Sequence, residues 1–153
     1  MLARVRTLTP VAATLLALGT AIGTVAVAGP AAANTGGAPA IPLNTEQETT
    51  GSDTGASGFF SYTIQGSQLC YTLDVRGLSL PAVAAHIHKA PRHVAGPVVI
   101  PFPAVPSATT GEASACVTPA AALLADLQAN PKAYYVNVHT ATFPGGEVRG
   151  QMK

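Results

Sequence analysis

The feature that most constrains the fold is an alternation of apolar and polar residues on both sides of a short turn. Residues 58–65 and 69–76 both alternate, and Gly66-Ser67 lies at the junction between the two segments. Successive side chains of a β-strand point to opposite faces, so each segment would have one apolar and one polar face. Two such strands joined by a short Gly-containing connection predict a β-hairpin.

The rest of the sequence continues as short apolar segments separated by turns. It contains 15 Gly and 13 Pro, which is typical of an all-β protein. Further strands are predicted at 43–49, 84–88, 97–100, 112–117, 134–140 and 147–151. One helix is predicted over 119–129, because Thr118 is a suitable N-cap and Pro119 suits the first helical position.

The first 33 residues have the features of a signal peptide. Arg4 and Arg6 precede an Ala-, Leu- and Val-rich run over 11–28, and three alanines at 31–33 supply a small-residue cleavage site. The alternative is a retained membrane anchor, since the run is close to the ~18 residues that begin to span a bilayer. The membrane would then be a partner only through this segment. We expect a signal peptide at 1–33, a disordered lead-in at 34–42 and one folded domain at 43–153.

The two cysteines, Cys70 and Cys116, predict a single disulfide. Both thiols are expected on the faces of their strands that lie opposite the apolar residues. An exported chain with two cysteines most simply forms one bridge between them. Together with the signal peptide, this predicts a protein that is secreted, extracellular or held in the cell envelope.

Charge and motifs disfavour several function classes. Charged residues make up only 10% of the chain, and no Lys/Arg patch interleaved with aromatics is present, so nucleic acid is not an expected partner. The sequence has no Gly-x-Ser-x-Gly elbow and no glycine-rich phosphate loop. Its carboxylates are scattered, and no catalytic residue is predicted.

Three histidines are the candidate metal ligands. His86 and His88 are two residues apart, so on one strand their imidazoles would lie side by side on one face. His139 lies on a later strand, and imidazole is the commonest neutral metal ligand. In a closing hairpin, pairing of His139 with Glu147 would also pair Asn137 with Arg149. Glu147, Arg149 and Asn137 are therefore expected to surround the ligands, with Glu147 orienting the His139 ring.

Six blocks of residues, in this order, resemble the CHRD domain, which is named after chordin and also occurs singly in secreted bacterial proteins. They are Cys-Tyr-Thr-Leu at 70–73, Ala-Ala-His-Ile-His-Lys at 84–89, Gly-Pro-Val-Val at 96–99, Leu-Leu-Ala-Asp at 123–126, Tyr-Tyr-Val-Asn-Val-His-Thr at 134–140 and Pro-Gly-Gly-Glu-Val-Arg-Gly-Gln at 144–151. The resemblance implies an immunoglobulin-like or Cu,Zn-superoxide-dismutase-like antiparallel β-sandwich. The resemblance implies no particular activity. The sequence departs from the family pattern at Glu48-Thr49-Thr50 and in the loop that carries His93.

Two functions remain open at this point. The first is a non-enzymatic secreted or cell-envelope module with an unknown extracellular ligand. The second is a copper- or zinc-binding protein that uses His86, His88 and His139, with His93 as a possible fourth ligand. The His-x-His pair with a distant third histidine resembles the copper side of copper/zinc superoxide dismutase, which makes dismutase-like activity part of this second hypothesis. The competing interpretation of the histidines is that they are ordinary hydrogen-bonding residues of a sheet.

Overall fold

The computed structural model describes residues 40–153, which form eight strands and one short α-helix. The strands are β1 (Ile41–Asn44), β2 (Ser57–Gln65), β3 (Gln68–Arg76), β4 (Ala82–Lys89), β5 (Val98–Pro101), β6 (Gly111–Val117), β7 (Tyr134–Thr140) and β8 (Val148–Gln151), and the helix α1 spans Ala121–Ala129. The all-β prediction is confirmed. The predicted signal peptide and most of the predicted lead-in lie outside the described residues. Within residues 40–153, no helix has the length and apolar character needed to cross a membrane.

All eight strands belong to one antiparallel sheet, which curls into a half-barrel. The strand order is β5-β4-β7-β8-β1-β2-β3-β6. Phe102, which follows β5 at one end of this order, stacks on Tyr71 of β3 with ring centroids 4.1 Å apart, and on Phe60 of β2 at 5.4 Å. Contacts between strands so far apart in the order require the sheet to fold back on itself. The apolar core therefore lies inside the curl, between two facing layers.

The β2–β3 hairpin forms as predicted around Gly66. Its register pairs Gln65 with Gln68, and Gly66 adopts a φ of 58°, a conformation that glycine reaches without a steric cost. The apolar residues of β3 are buried, as the alternation predicted: Leu69, Tyr71, Leu73 and Val75. β3 also pairs with β6, and Cys70 lies directly opposite Cys116, where the two form a disulfide. Such a bridge is typical of an oxidising compartment.

The first strand and the helix differ from their predicted bounds. β1 begins at Ile41, within the expected lead-in, and ends at Asn44, where a 3-10 turn over Thr45–Gln47 replaces the predicted extension to residue 49. The side chain of Asn44 accepts a hydrogen bond from the Gln47 backbone N–H, which stabilises the turn. The helix begins two residues later than expected, because Ala120 (ψ 138°) stays extended and occupies the capping position.

Strand β7 is buried on both of its faces. Alternation predicted that Tyr135, Asn137 and His139 would face away from the core, yet all three are less than 9% exposed. The loop between β4 and β5 covers this outer face, and the Gly96 backbone N–H donates to the Tyr135 hydroxyl. The predicted pairing of β7 with β8 is confirmed, with Tyr135 opposite Gln151 and Asn137 opposite Arg149. A second, polar interior therefore lies between the sheet and its loops.

Candidate metal centre

Strand pairing brings the three predicted histidines together. β4 pairs with β7 so that Ala84 faces His139 and His86 faces Asn137, which places the rings of His86, His88 and His139 on the same side of the sheet. One nitrogen atom from each ring lies within 4.8 Å of the others. Within residues 40–153 they are the one group of three or more His, Cys, Asp or Glu side chains close enough to hold an ion. His88 and His139 are buried, and His86 is partly exposed.

Backbone carbonyls fix the tautomers of two of the rings. His88 Nδ1–H donates to the Gly96 carbonyl at 2.8 Å, and His139 Nδ1–H donates to the Pro144 carbonyl at 2.9 Å. Each ring therefore carries its lone pair on Nε2, the atom available to a metal. His139 Nε2 lies 3.0 Å from His86 Nδ1, which must be the donor in that contact.

The Nε2 atom of His88 is the most informative atom of the cluster. It is buried and has no hydrogen-bond partner among the described residues with the neighbouring Asn137 amide in its present orientation, in which the amide oxygen is also without a partner. Leaving a buried acceptor unpaired costs about 1–3 kcal/mol, so such an atom is uncommon in a folded protein unless it has a ligand. The chemistry of the group also suits a metal, since neutral imidazoles bind both copper and zinc.

The surroundings keep the three imidazoles neutral. Burial, followed by the neighbouring His139 and His88, lowers the pKa of His86 from 6.5 to about 4. Burial is also the main cause of the lowered pKa values of His88 and His139, although their hydrogen bonds to backbone carbonyls partly oppose it. Neutral imidazole is the form that binds metals, so near pH 7 no proton needs to be displaced from these rings.

The His88 ring packs against a stack of planar side chains. Its ring lies against the Tyr135 ring, with centroids 4.8 Å apart and an interplanar angle of 11°. The guanidinium of Arg149 lies over the same Tyr135 ring, 3.3 Å from the centroid. Arg149 is 1% exposed and donates to the carbonyls of Val94 (3.0 Å) and Pro91 (2.9 Å). It thereby holds the loop whose Gly96 carbonyl orients His88.

Glu48 is a residue of this interior that the sequence did not reveal. Burial raises its pKa from 4.5 to about 7, although the nearby Arg149 opposes the shift and Asn137 opposes it further. The amide of Asn137 also raises the pKa of His88, so Asn137 lies between the carboxyl and the ring. Gly146 makes room for this arrangement, because a Cβ at its position would lie 2.4 Å from Glu48 Oε1. A glutamate in a polar segment gave no periodic signal that could have placed it here.

The Glu48→Gln variant is expected to change the pH dependence of stability. Because the pKa of Glu48 rises from 4.5 to about 7 on folding, the folded state retains a proton between these values, and stability falls as pH rises through this window. The neutral amide removes this loss. The free energy of unfolding of the variant, relative to the wild type, should therefore increase by about 1–2 kcal/mol between pH 4.5 and 8, after allowance for solvent screening.

Urea unfolding at a series of pH values measures this difference. Glu46→Gln, which changes an exposed carboxyl two residues away, is the matched control. A difference between Glu48→Gln and the wild type that stays constant with pH would contradict the assignment.

Glu147 and His93 do not have the roles that were expected of them. The carboxylate of Glu147 accepts hydrogen bonds from Ser79, Thr140 and Thr54, and His139 is oriented by the Pro144 carbonyl instead. Burial would raise the pKa of Glu147, but these hydrogen bonds outweigh it and lower the pKa. His93 lies in the exposed loop with a φ of 60° and is outside the three-histidine group, so it is not the fourth ligand expected as a possibility.

Comparison with known families gives one match. The model of the family described as the CHRD domain matches residues 40–152. No curated protein and no solved structure matches the chain. The match covers all of the strands and the three-histidine group, so the candidate site lies within the matched domain.

Proposed function

The chain belongs to the CHRD domain family, and on that premise we propose that it is an exported, non-enzymatic module that binds one copper or zinc ion through His86, His88 and His139. The observation that carries the proposal is the buried, unpartnered Nε2 of His88. The disulfide agrees with an oxidising, extracytoplasmic location.

The histidine group needs only a small rearrangement to bind a metal. Its nitrogens lie within 4.8 Å of one another, whereas two nitrogens on one ion can be no farther apart than about twice the ~2.0–2.1 Å bond length. The widest separation must therefore close by roughly half an ångström, and the hydrogen bond between His86 and His139 must open. His86 is the ring with the most freedom, because it is the most exposed of the three. We infer that His88 and His139 are preorganised and that His86 moves.

Metal binding is expected at one equivalent per chain, and it should depend on these rings alone. Isothermal titration of metal-free protein with Cu²⁺ and with Zn²⁺ should give one site, with affinity reduced at least about 100-fold in His88→Ala and in His139→Ala. The chain has four histidines, so His93→Ala is a matched control and should bind as the wild type does. Saturating metal should also raise the thermal midpoint of the wild type and of His93→Ala, but not of His88→Ala.

Two outcomes would change this conclusion. If the wild type and His88→Ala bind metal equally, the site is elsewhere; if neither binds, the Asn137 amide in its opposite orientation satisfies the His88 nitrogen, and the module has another ligand. An assay of superoxide dismutation with the copper-loaded protein tests the dismutase alternative. We expect no turnover, because nothing in the described chain forms a second group of metal ligands.

A further inference from the structure

A second candidate site lies at the end of β8, apart from the histidines. A cavity of about 270 Å³ is lined there by Pro42, Gln47, Arg92, Lys132, Gln151, Met152 and Lys153. Three of these seven residues have cationic side chains, and none has an acidic side chain. The proposed metal function uses none of them.

The clustering of positive charge does not follow from the composition. With Arg4 and Arg6 set aside, the chain has six Lys/Arg and seven Asp/Glu, all of them within residues 40–153. Three of the six cations are already engaged: Arg76 pairs with Asp74, Lys89 pairs with Asp126, and Arg149 is buried beneath the loop. The other three, which have no carboxylate partner among the described residues, all line this one cavity.

The backbone fixes the segments that carry these charges. The side-chain amide of Gln151 donates to the carbonyls of Ala90 and Lys132, which joins the start of the Arg92 loop to the turn that carries Lys132. Gln47 accepts from the Gln151 backbone N–H, and the Met152 N–H donates to the Tyr134 carbonyl. Hydrogen bonds therefore fix the segments that carry Arg92 and Lys132, and Lys153 directly follows the hydrogen-bonded Met152.

We propose that this cavity binds a small, multiply charged oxyanion, a phosphate or a polycarboxylate. Three like charges around one concave surface repel one another unless an anion neutralises them, and a concave wall strengthens their field. The volume is below the 300–1,000 Å³ usual for drug-sized ligands, so it suits a compact anion.

The test is a titration of metal-free protein with inorganic pyrophosphate and with citrate at constant ionic strength. Nuclear magnetic resonance spectra of the protein monitor the binding. Both anions should bind saturably, with dissociation constants of about 0.1–10 mM, and singly charged acetate should bind at least about tenfold more weakly. Arg92→Gln and Lys132→Gln should each weaken binding about tenfold. Arg76→Gln, which removes a cation elsewhere on the surface, should have no effect.

Either of two results would overturn the proposal. Equal affinity for acetate and pyrophosphate would mean that the cavity does not select multiply charged anions, and an equal loss in Arg76→Gln would mean that the anions respond only to overall charge. The same titration in His88→Ala should be unchanged. A failure of metal binding and a failure of anion binding can therefore be told apart.

Discussion

Replacing Glu147 by alanine is expected to lower the free energy of unfolding by about 2–4 kcal/mol. Its carboxylate is 0% exposed and accepts four hydrogen bonds. Two of them come from Ser79, through the backbone N–H and the hydroxyl, both at 2.7 Å. The others come from the hydroxyls of Thr140 and Thr54. Removal of the carboxylate leaves the buried Thr140 hydroxyl without its carboxylate partner and detaches Ser79 and Thr54, which are exposed residues, from the turn.

The location of Glu147 explains why the loss should affect the whole domain. Ser79 lies in the connection from β3 to β4, which joins strands near opposite ends of the sheet order. Glu147 attaches this connection to the β7–β8 turn. Chemical denaturation measures the effect, and Glu112→Ala is the control, because Glu112 is an exposed glutamate on the edge strand β6. The free energy of unfolding of Glu147→Gln should lie between those of Glu147→Ala and Glu112→Ala. A loss below about 1 kcal/mol in Glu147→Ala would show that the hydrogen bonds contribute little.

Replacing Arg149 by methionine is expected to destabilise the protein by about 3 kcal/mol. Methionine keeps much of the buried volume, but it cannot donate to the carbonyls of Pro91 and Val94, and each charge-assisted hydrogen bond contributes about 1.5–3 kcal/mol. It also loses the contact with the Tyr135 ring. The loss should grow as pH rises from 7 to 9, because ionised Glu48 would then lack its nearby cation.

The matched control for this prediction is Arg92→Met, which removes an exposed arginine from the same loop and should cost less than about 0.5 kcal/mol. Denaturation at pH 7 and 9 gives both comparisons. Arg149→Met should also weaken metal binding about tenfold, because the loop that orients His88 would no longer be held. Equal stability of the two variants would contradict the role assigned to Arg149.

The parts of the fold that were predictable follow from local periodicity. The alternation of apolar and polar residues around Gly66 correctly predicted β2 and β3. The same two-residue period in the closing hairpin correctly predicted that Asn137 pairs with Arg149. Because β-strand alternation is strict, His86 and His88 could be assigned to one face before the structure was known. Their meeting with His139 depended on β4 and β7 being neighbours, and the sequence supported that only through the likeness of the three histidines to the copper side of copper/zinc superoxide dismutase.

The parts that were not predictable depend on the paths of irregular segments. The loop after β4 folds over the outer face of β7 and buries Asn137 and His139, and no periodic pattern records such a path. Glu48 reaches the same interior because a 3-10 turn ends β1 early and Gly146 leaves space for the carboxyl. Glu147 was predicted to orient His139 because the two are expected neighbours in the hairpin. Its carboxylate oxygens instead accept hydrogen bonds from three hydroxyl-bearing side chains.

The position of β1 has a consequence for how the chain is made. β1, the first strand of the domain, lies between β2 and β8, the last strand, and it pairs with β8 through Asn44 and Arg149. Until β8 is available, the sheet consists of two unconnected parts, β1-β2-β3-β6 on one side and β5-β4-β7 on the other. A chain that leaves the ribosome or a translocation channel from its N-terminus cannot complete this fold before residue 151 emerges. Folding should therefore follow synthesis, and slowly, because the closing contacts join the two ends of the domain.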